Sequence, residues 1–430
     1  MIQNLNKSVF LFTNGCPENR IDMARIREFF IKNGWKISDS YLNADLILFN
    51  ACALTEFDEN RSVSTIQTIR TFKPDHADFI VCGCLPKINP LLLGKHHDGI
   101  VLYGEHDVDK LNTLIGATFP VEEAVANDLE PCGNLKRKPS NSRIYSTLLD
   151  QLFVEKSKSR SKAGQILTAP LLYYDKWLSS SVNIFHRHQP TYYIKVCTGC
   201  LNHCAYCAVK KSRGNLSSVP PEKIIAQLKS GLSRGFKQFS LLGTDIGPYG
   251  RDIGTNVVEL LSELTRIEGD FSLRIRNIEP LWLTKFYPEI EKLLASNKIS
   301  FIGIPIESGN DEILAAMRRG YKIGPVKDTI RQINQKFPAI FIRTQLMTGF
   351  PGETRVQYVD TCRLVDELNF DYVEVYAFSA RPDTPAMTMT NQIPPAENSR
   401  RRNKLWLKAL LRRTPQKLLK ILKYSNYRVS

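Results

Sequence analysis

Eight residues constrain this chain more than any other stretch: Cys200-Leu201-Asn202-His203-Cys204-Ala205-Tyr206-Cys207. Their C-x3-C-x2-C spacing puts three thiols on one short loop, which can wrap a single [4Fe–4S] cluster. Four thiolates are needed to hold all four irons, so three leave one iron open to an exchangeable ligand. Zinc is the alternative, because Cys197 and Cys200 form a C-x2-C pair and His203 is close by. A zinc site usually takes its remaining ligands from further downstream, and the segments after Cys207 agree better with iron and sulfur.

The first 125 residues alternate apolar runs with amphipathic stretches. Residues 8–14, 44–50 and 79–83 read as buried parallel strands, and residues 21–33 and 59–72 as helices between them. The pattern predicts a doubly wound α/β sheet. Cys16, Cys52 and Cys84 each fall just beyond the carboxyl end of one of these strands. Those ends share one edge of such a sheet, so three residues distant in sequence converge there. Three thiolates at that edge match a second cluster with an open iron, against the alternative of ordinary buried cysteines. Cys82, inside its strand, is expected in the core.

From Thr191 the alternation resumes. Strands are expected at residues 192–196, 239–242, 273–275, 301–304, 341–347 and 372–378, with helices at 221–235 and 257–267 among others. Six βα units predict a partial (β/α) barrel with its site at the carboxyl ends of the strands, the face that carries the Cys200–Cys207 loop.

Charge matters because it is unevenly placed. The chain of 430 residues carries a net +15. Residues 131–163 hold eight Lys/Arg against Asp150 and Glu155, and residues 396–430 hold eleven against Glu397, so the remainder is about neutral. Two local basic segments suggest a polyanionic partner, with solvated faces as the bland alternative. Residues 126–190 read as an irregular basic linker with short helices at 145–154 and 171–178, where Cys132, His186 and His188 are not expected to be ligands. Residues 396–430 read as a basic helical tail, with helices at 399–411 and 417–424 broken at Thr414-Pro415. Its apolar residues are Leu407, Leu410, Leu411, Leu418, Leu419 and Leu422. Met1-Ile2-Gln3-Asn4-Leu5-Asn6-Lys7 lacks the pattern of a signal peptide, and no run is apolar enough to span a bilayer. Ten clustered cysteines suit ligands in a reducing cytoplasm better than disulfides.

The cysteine loop resembles the signature of radical S-adenosylmethionine (SAM) enzymes. With both trios in view, residues 1–120 and 191–395 resemble the methylthiotransferases of that superfamily. Asn14-Gly15-Cys16-Pro17-Glu18-Asn19, Asn50-Ala51-Cys52-Ala53-Leu54-Thr55 and Cys82-Gly83-Cys84-Leu85 look like its first cluster segments. Arg213-Gly214, Arg274-Ile275-Arg276-Asn277-Ile278-Glu279-Pro280, Gly349-Phe350-Pro351-Gly352-Glu353-Thr354 and Arg381-Pro382-Asp383-Thr384-Pro385-Ala386 also fit. The resemblance implies two [4Fe–4S] clusters and SAM as cofactors, with a reductant such as flavodoxin or ferredoxin as partner. It implies that one SAM methylates a sulfur on the N-terminal cluster. A second, cleaved at the barrel cluster, then yields the radical that opens an unactivated C–H bond. By the same resemblance Gly243-Thr244-Asp245 contacts the SAM amino group, Glu307-Ser308 the ribose or carboxylate, and Gly349 and Gly352 the adenine. Tyr206 lies beside the bound cofactor. Plain turn chemistry is the alternative for each glycine.

The chain departs from the family at Glu307, where Gln is usual, at Gln345, where Asp is usual, and at Asp383, where Gly is usual. Residues 242–250 and 274–280 look closest to the branch acting on threonylcarbamoyladenosine in tRNA. Yet the residues after Pro395 are too few and too helical for the small TRAM barrel that grips RNA there. The first expectation is therefore methylthio insertion into a polypeptide side chain or specialised metabolite. The alternative is the same chemistry on tRNA adenosine, and a third is a non-catalytic Fe–S protein that binds nucleic acid.

Overall fold

The structure, a computed structural model, describes residues 7–102, 107–124 and 191–424. Five parallel strands form the N-terminal sheet: β1 (Ser8–Thr13), β2 (Lys36–Ile37), β3 (Leu46–Ala51), β4 (Asp78–Gly83) and β5 (Ile100–Val101). Their order is β2-β1-β3-β4-β5, as expected for a doubly wound sheet. All six residues of β3 are buried, which is the pattern of a central strand covered on both faces. Helix Pro17–Lys32 follows β1 and helix Glu56–Phe72 follows β3. The second starts at a capping box in which Thr55 and Asp58 satisfy each other's backbone donors. The short β2 and β5 escaped the sequence reading, because two residues carry no periodicity.

The barrel strands are β6 (Thr191–Lys195), β9 (Gln238–Leu242), β10 (Ser272–Ile275), β11 (Ile299–Glu307), β12 (Phe341–Thr348) and β13 (Tyr372–Ala377). A two-stranded antiparallel ribbon, β7 (Cys197–Thr198) with β8 (Ser217–Ser218), lies between β6 and β9 in the chain. The six barrel strands pair in parallel in the order β13-β12-β11-β10-β9-β6, leaving an open, partial barrel. Alternation along each strand divides two environments. Ile194, Leu241, Leu273, Ile275, Ile302, Ile304, Ile342 and Leu346 join the core beneath the helices. Ser240, Arg274, Phe301 and Arg343, at intervening or adjoining register positions, line the lumen.

The described residues of the sheet and the barrel, as far as Arg413, belong to one compact unit. Charged contacts join its sheet and barrel. Asp22 pairs with Lys195 at 3.0 Å and with Arg213 at 2.6 Å, and Arg381 pairs with Glu59, all with little solvent access. The linker helices expected at 145–154 and 171–178, with Cys132, His186 and His188, lie outside the described residues.

The tail differs from expectation in two ways. One helix runs Pro395–Tyr424, without a break at Thr414-Pro415. A proline inside a helix removes one backbone donor, while the turns on either side keep theirs. Its inward face places Leu405 and Ala409 in the barrel core and buries Leu410 as well, whereas Leu407 and Leu411 are exposed. Arg401 fixes the first turns by pairing with Glu353 at 2.8 Å and Glu397 at 2.9 Å. Among the described residues no helix is long and apolar enough to cross a membrane.

Candidate active site

Cys16 caps the start of helix Pro17–Lys32, Cys52 follows β3 directly, and Cys84 follows β4 after Gly83. They converge as the strand ends predicted. Asn19, fully buried, faces both Cys16 Sγ at 3.8 Å and Cys84 Sγ at 3.9 Å through its Oδ1, which also accepts from Arg213. Cys52 is held from the other side: its N–H donates to Asn14 Oδ1 at 2.9 Å and its carbonyl accepts from Ser62 Oγ at 2.5 Å. Burial, with Glu18 adding to it, pushes the Cys16 thiol up to about 11, although its edge still meets solvent. Burial likewise raises Cys52, with charges from Asp58 and Cys84 adding to it.

Gly83 makes the turn into Cys84 possible. Its φ is +93°, and a Cβ there would strike Asn50 Oδ1 and approach the Ala51 carbonyl to 2.8 Å. That carbonyl accepts the Cys84 N–H at 2.9 Å, so it has no room to retreat. Gly83→Ala is expected to cost about 2–3 kcal/mol through strain and backbone overlap. A thermal melt of the cluster-free protein within a degree of wild type would refute this.

The second trio sits on the loop after β7. Cys200 feels Cys204 and Cys207, Cys207 feels Cys204, and burial is the main cause raising all three, Cys200 to about 12 and Cys207 to about 11. Arg319 Nη1 donates to Cys204 Sγ at 3.4 Å and its Nη2 to the Pro305 carbonyl at 2.9 Å. Glu279 pairs with Arg319 at 3.4 Å and accepts from Asn202 Nδ2 at 2.5 Å, so it anchors the loop itself. Ala205 completes the fastening, donating to Met317 O at 2.9 Å and accepting from Ala386 N at 2.8 Å. Asn202, Glu279 and Arg319 are positioning residues. Asn202 and Glu279 lie within quoted motifs, but Arg319, 115 residues from Cys204, gave no sequence signal.

These donor sets fit iron–sulfur clusters. Burial opposes ionisation of Cys16, Cys52, Cys200, Cys204 and Cys207, so a cationic centre is needed to make thiolates of them, and an arginine stands near each trio to offset the charge they then carry. Among the described residues no three His, Cys, Asp or Glu side chains meet as a single-ion site, and a cluster asks less because each thiolate takes a different iron. The zinc alternative loses its further ligands. Cys197 is fully buried and donates to the Asp245 carbonyl at 3.3 Å, and His203 Nε2 faces Lys210 Nζ at 3.0 Å.

The residues expected around SAM divide. Tyr206 and Glu307 meet, with Arg319, beside Cys204. Glu307 stands at φ +68° beside a register shift in β11, a strained placement that aims its carboxylate at this group. Thr244 Oγ1 donates to Glu18 at 3.3 Å and so faces the N-terminal sheet. Asp245 accepts from the N–H groups of Gly247 and Glu279, and burial, then Glu279, lifts it to about 7. Its Oδ2 is buried without a partner and remains open to a donor. The others have packing or turn contacts in the fold. A Cβ on Gly243 would approach Cys197 Sγ to 2.5 Å, and Ser308 is fully buried against Thr361 Oγ1 at 3.2 Å. Gly349, at φ +72°, makes room for Asn398 and donates to Glu353 at 2.9 Å. Gly352 donates its N–H to the Asn391 carbonyl at 2.9 Å. Asp383 takes φ +59° where the family has glycine, and pairs with Lys211 beside the cysteine loop.

The two trios are linked through the segment after the cysteine loop: Arg213 reaches Asn19 between Cys16 and Cys84, and the Gly214 carbonyl accepts the Cys200 N–H at 3.3 Å.

Comparison with known proteins agrees with this arrangement. Residues 194–365 match the Radical SAM superfamily and residues 8–103 match Uncharacterized protein family UPF0004. The chain is 27% identical over 379 residues to the probable threonylcarbamoyladenosine tRNA methylthiotransferase of Pyrococcus horikoshii, covering 88% of this chain and 78% of that one. It is 27% identical over 403 residues to the tRNA-2-methylthio-N(6)-dimethylallyladenosine synthase of Carboxydothermus hydrogenoformans, covering 92% and 81%. Among solved structures it shares its fold with the radical SAM methyltransferase TsrM of Kitasatospora setae, bound to cobalamin and a [4Fe–4S] cluster. The TM-score is 0.57 at 13% identity, over 89% of this chain and 77% of that one.

Proposed function

Because this chain belongs to the radical SAM methylthiotransferases, an enzyme family that uses SAM and [4Fe–4S] clusters, we propose that it places a methylthio group on an adenosine of tRNA. In this reading Cys200, Cys204 and Cys207 hold the cluster that binds SAM, and Cys16, Cys52 and Cys84 hold the second. Bound there, SAM and iron–sulfur supply the one-electron chemistry that an unactivated C–H bond requires. The protein's own part is placement. Asn19 and Arg213 orient one trio, and Glu279 and Arg319 the other.

The observation that carries the reading is the pair of thiol trios joined through Arg213 and Gly214. Support for the acceptor comes from the relatives, whose names specify two tRNA adenosines, one bearing threonylcarbamoyl and one bearing dimethylallyl. The first carries a free carboxylate and the second no charge. A polypeptide or metabolite acceptor, the first expectation from sequence, finds no support among these relatives. The basic segments suit RNA as a polyanion, and a separate reductant must feed electrons to the clusters.

The test is mass spectrometry of tRNA nucleosides from cells with and without the protein. A methylthio-adenosine derivative present only with the protein is the expected result. Identical nucleoside profiles, with SAM still cleaved by the reconstituted enzyme, would return the search to peptides and small molecules.

A further inference from the structure

The barrel lumen holds more positive charge than it neutralises. Arg274 and Arg276 project from β10 and its end, and Arg343 from β12, all around the ring of Phe301. Their guanidinium carbons lie 4.6, 5.8 and 5.9 Å from its centroid. Strand register puts Arg343 level with Gly303, one layer above the stacked pair Phe301 and Phe341. Gly303 has no Cβ, and one would strike the Arg276 carbonyl and approach the Arg343 guanidinium to 3.3 Å.

Only one carboxylate among the described residues bears on this group, and it is taken. Glu374 accepts from Gln345 Nε2 at 2.8 Å and Tyr376 Oη at 3.0 Å, and meets Arg343 at 3.5 Å. Arg343 spends its other donors on Asn277 Oδ1 at 2.7 Å and the Arg276 carbonyl at 3.1 Å. Arg274 reaches Gln238 Oε1 at 3.3 Å, and its Nε is buried without a partner. Arg276 has no side-chain hydrogen bond or ion pair among the described residues, only Phe301 beneath it. Burial, and then the neighbouring arginines, lower the pKa of both Arg274 and Arg276, outweighing Tyr193 at both and Glu374 and Cys16 at Arg276.

Uncompensated cations in a partly dry lumen are costly unless something anionic returns the cost. Guanidinium suits a carboxylate, which it can grip with two parallel hydrogen bonds. We propose that Arg276, backed by Arg274 and Arg343, binds a carboxylate of the acceptor in the barrel lumen, and so selects a carboxylated adenosine over a neutral one. This rests on the tRNA reading and names its substrate class. A backbone phosphate offers similar chemistry, but every tRNA has phosphates, so it would not discriminate.

The test uses reconstituted full-length enzyme and three tRNAs alike except at the modified adenosine: threonylcarbamoyl acid, its methyl amide, and dimethylallyl. Methylthio product is quantified by mass spectrometry. The acid is expected to exceed the amide and the dimethylallyl form by about tenfold to a hundredfold in kcat/KM, with most of the difference in KM. Arg276→Gln is expected to collapse that ratio toward one, and Arg276→Lys to retain part of it. The acid-to-amide ratio on wild type needs no variant, so a misfolded mutant would leave the test intact. Equal use of acid and amide by wild type would overturn this inference alone and point to phosphate. No product from any of the three, with SAM cleaved, would overturn the tRNA reading beneath it.

Discussion

Alanine at Cys200, Cys204 and Cys207 together is expected to abolish SAM cleavage, whereas alanine at Cys16, Cys52 and Cys84 is expected to leave cleavage and abolish methylthio product. The asymmetry follows from the site. The barrel thiols stand beside Tyr206, Glu307 and Arg319, where SAM is proposed to bind, and the N-terminal thiols stand beside Asn19 and Arg213. Each substitution should lower iron from about eight to about four atoms per chain, because each trio holds its own cluster. Iron analysis and 5′-deoxyadenosine release by the two anaerobically reconstituted variants decide the matter. Full iron content in either variant would show that its cysteines are merely buried thiols. Loss of cleavage in both would mean that the N-terminal trio supports the barrel instead of doing separate chemistry.

Asp22→Asn is expected to destabilise the protein by about 3–5 kcal/mol, because it removes the carboxylate that two buried cations pair with. The side chains of Lys195 and Arg213 are 13% and 11% exposed, and both take Asp22 as their carboxylate at 3.0 and 2.6 Å. Burial works to raise the Asp22 pKa, yet Lys195 and Arg213 overcome it and hold the carboxyl well below its usual range. With the folded value depressed, this stability is complete above the unfolded value of about 3.9 and is lost as pH falls toward the folded one. At neutral pH the whole contribution is therefore present for the mutation to remove. Urea unfolding of the cluster-free protein at pH 7 measures it. Pairing Asp22→Asn with Lys195→Met should recover part of the loss, since one stranded charge goes with it. A single mutant within about 1 kcal/mol of wild type would mean that water screens this triad. The effect on function should exceed the effect on folding, because Arg213 also reaches Asn19 between Cys16 and Cys84.

What could be read from the chain alone was whatever repeats with a fixed period or a short spacing. The strands of both sheets were legible because buried β-strands are short apolar runs, and the cysteine loop because its three ligands lie within eight residues. Cys16, Cys52 and Cys84 were legible for a subtler reason: parallel strands bring their carboxyl ends to one edge, so position relative to a strand predicts convergence in space. Contacts between residues distant in sequence were not legible. Arg319 reaches Cys204 and Asp22 reaches Arg213 only because packing brings separate elements together, and nothing local to those residues records the partner. Glycine showed the same limit. Gly83 and Gly349 serve turns and close approach, and a motif cannot separate that duty from cofactor contact. Whether an arginine is paired or left waiting for an anion is a property of its surroundings, and in the lumen around Phe301 only tertiary structure decided it.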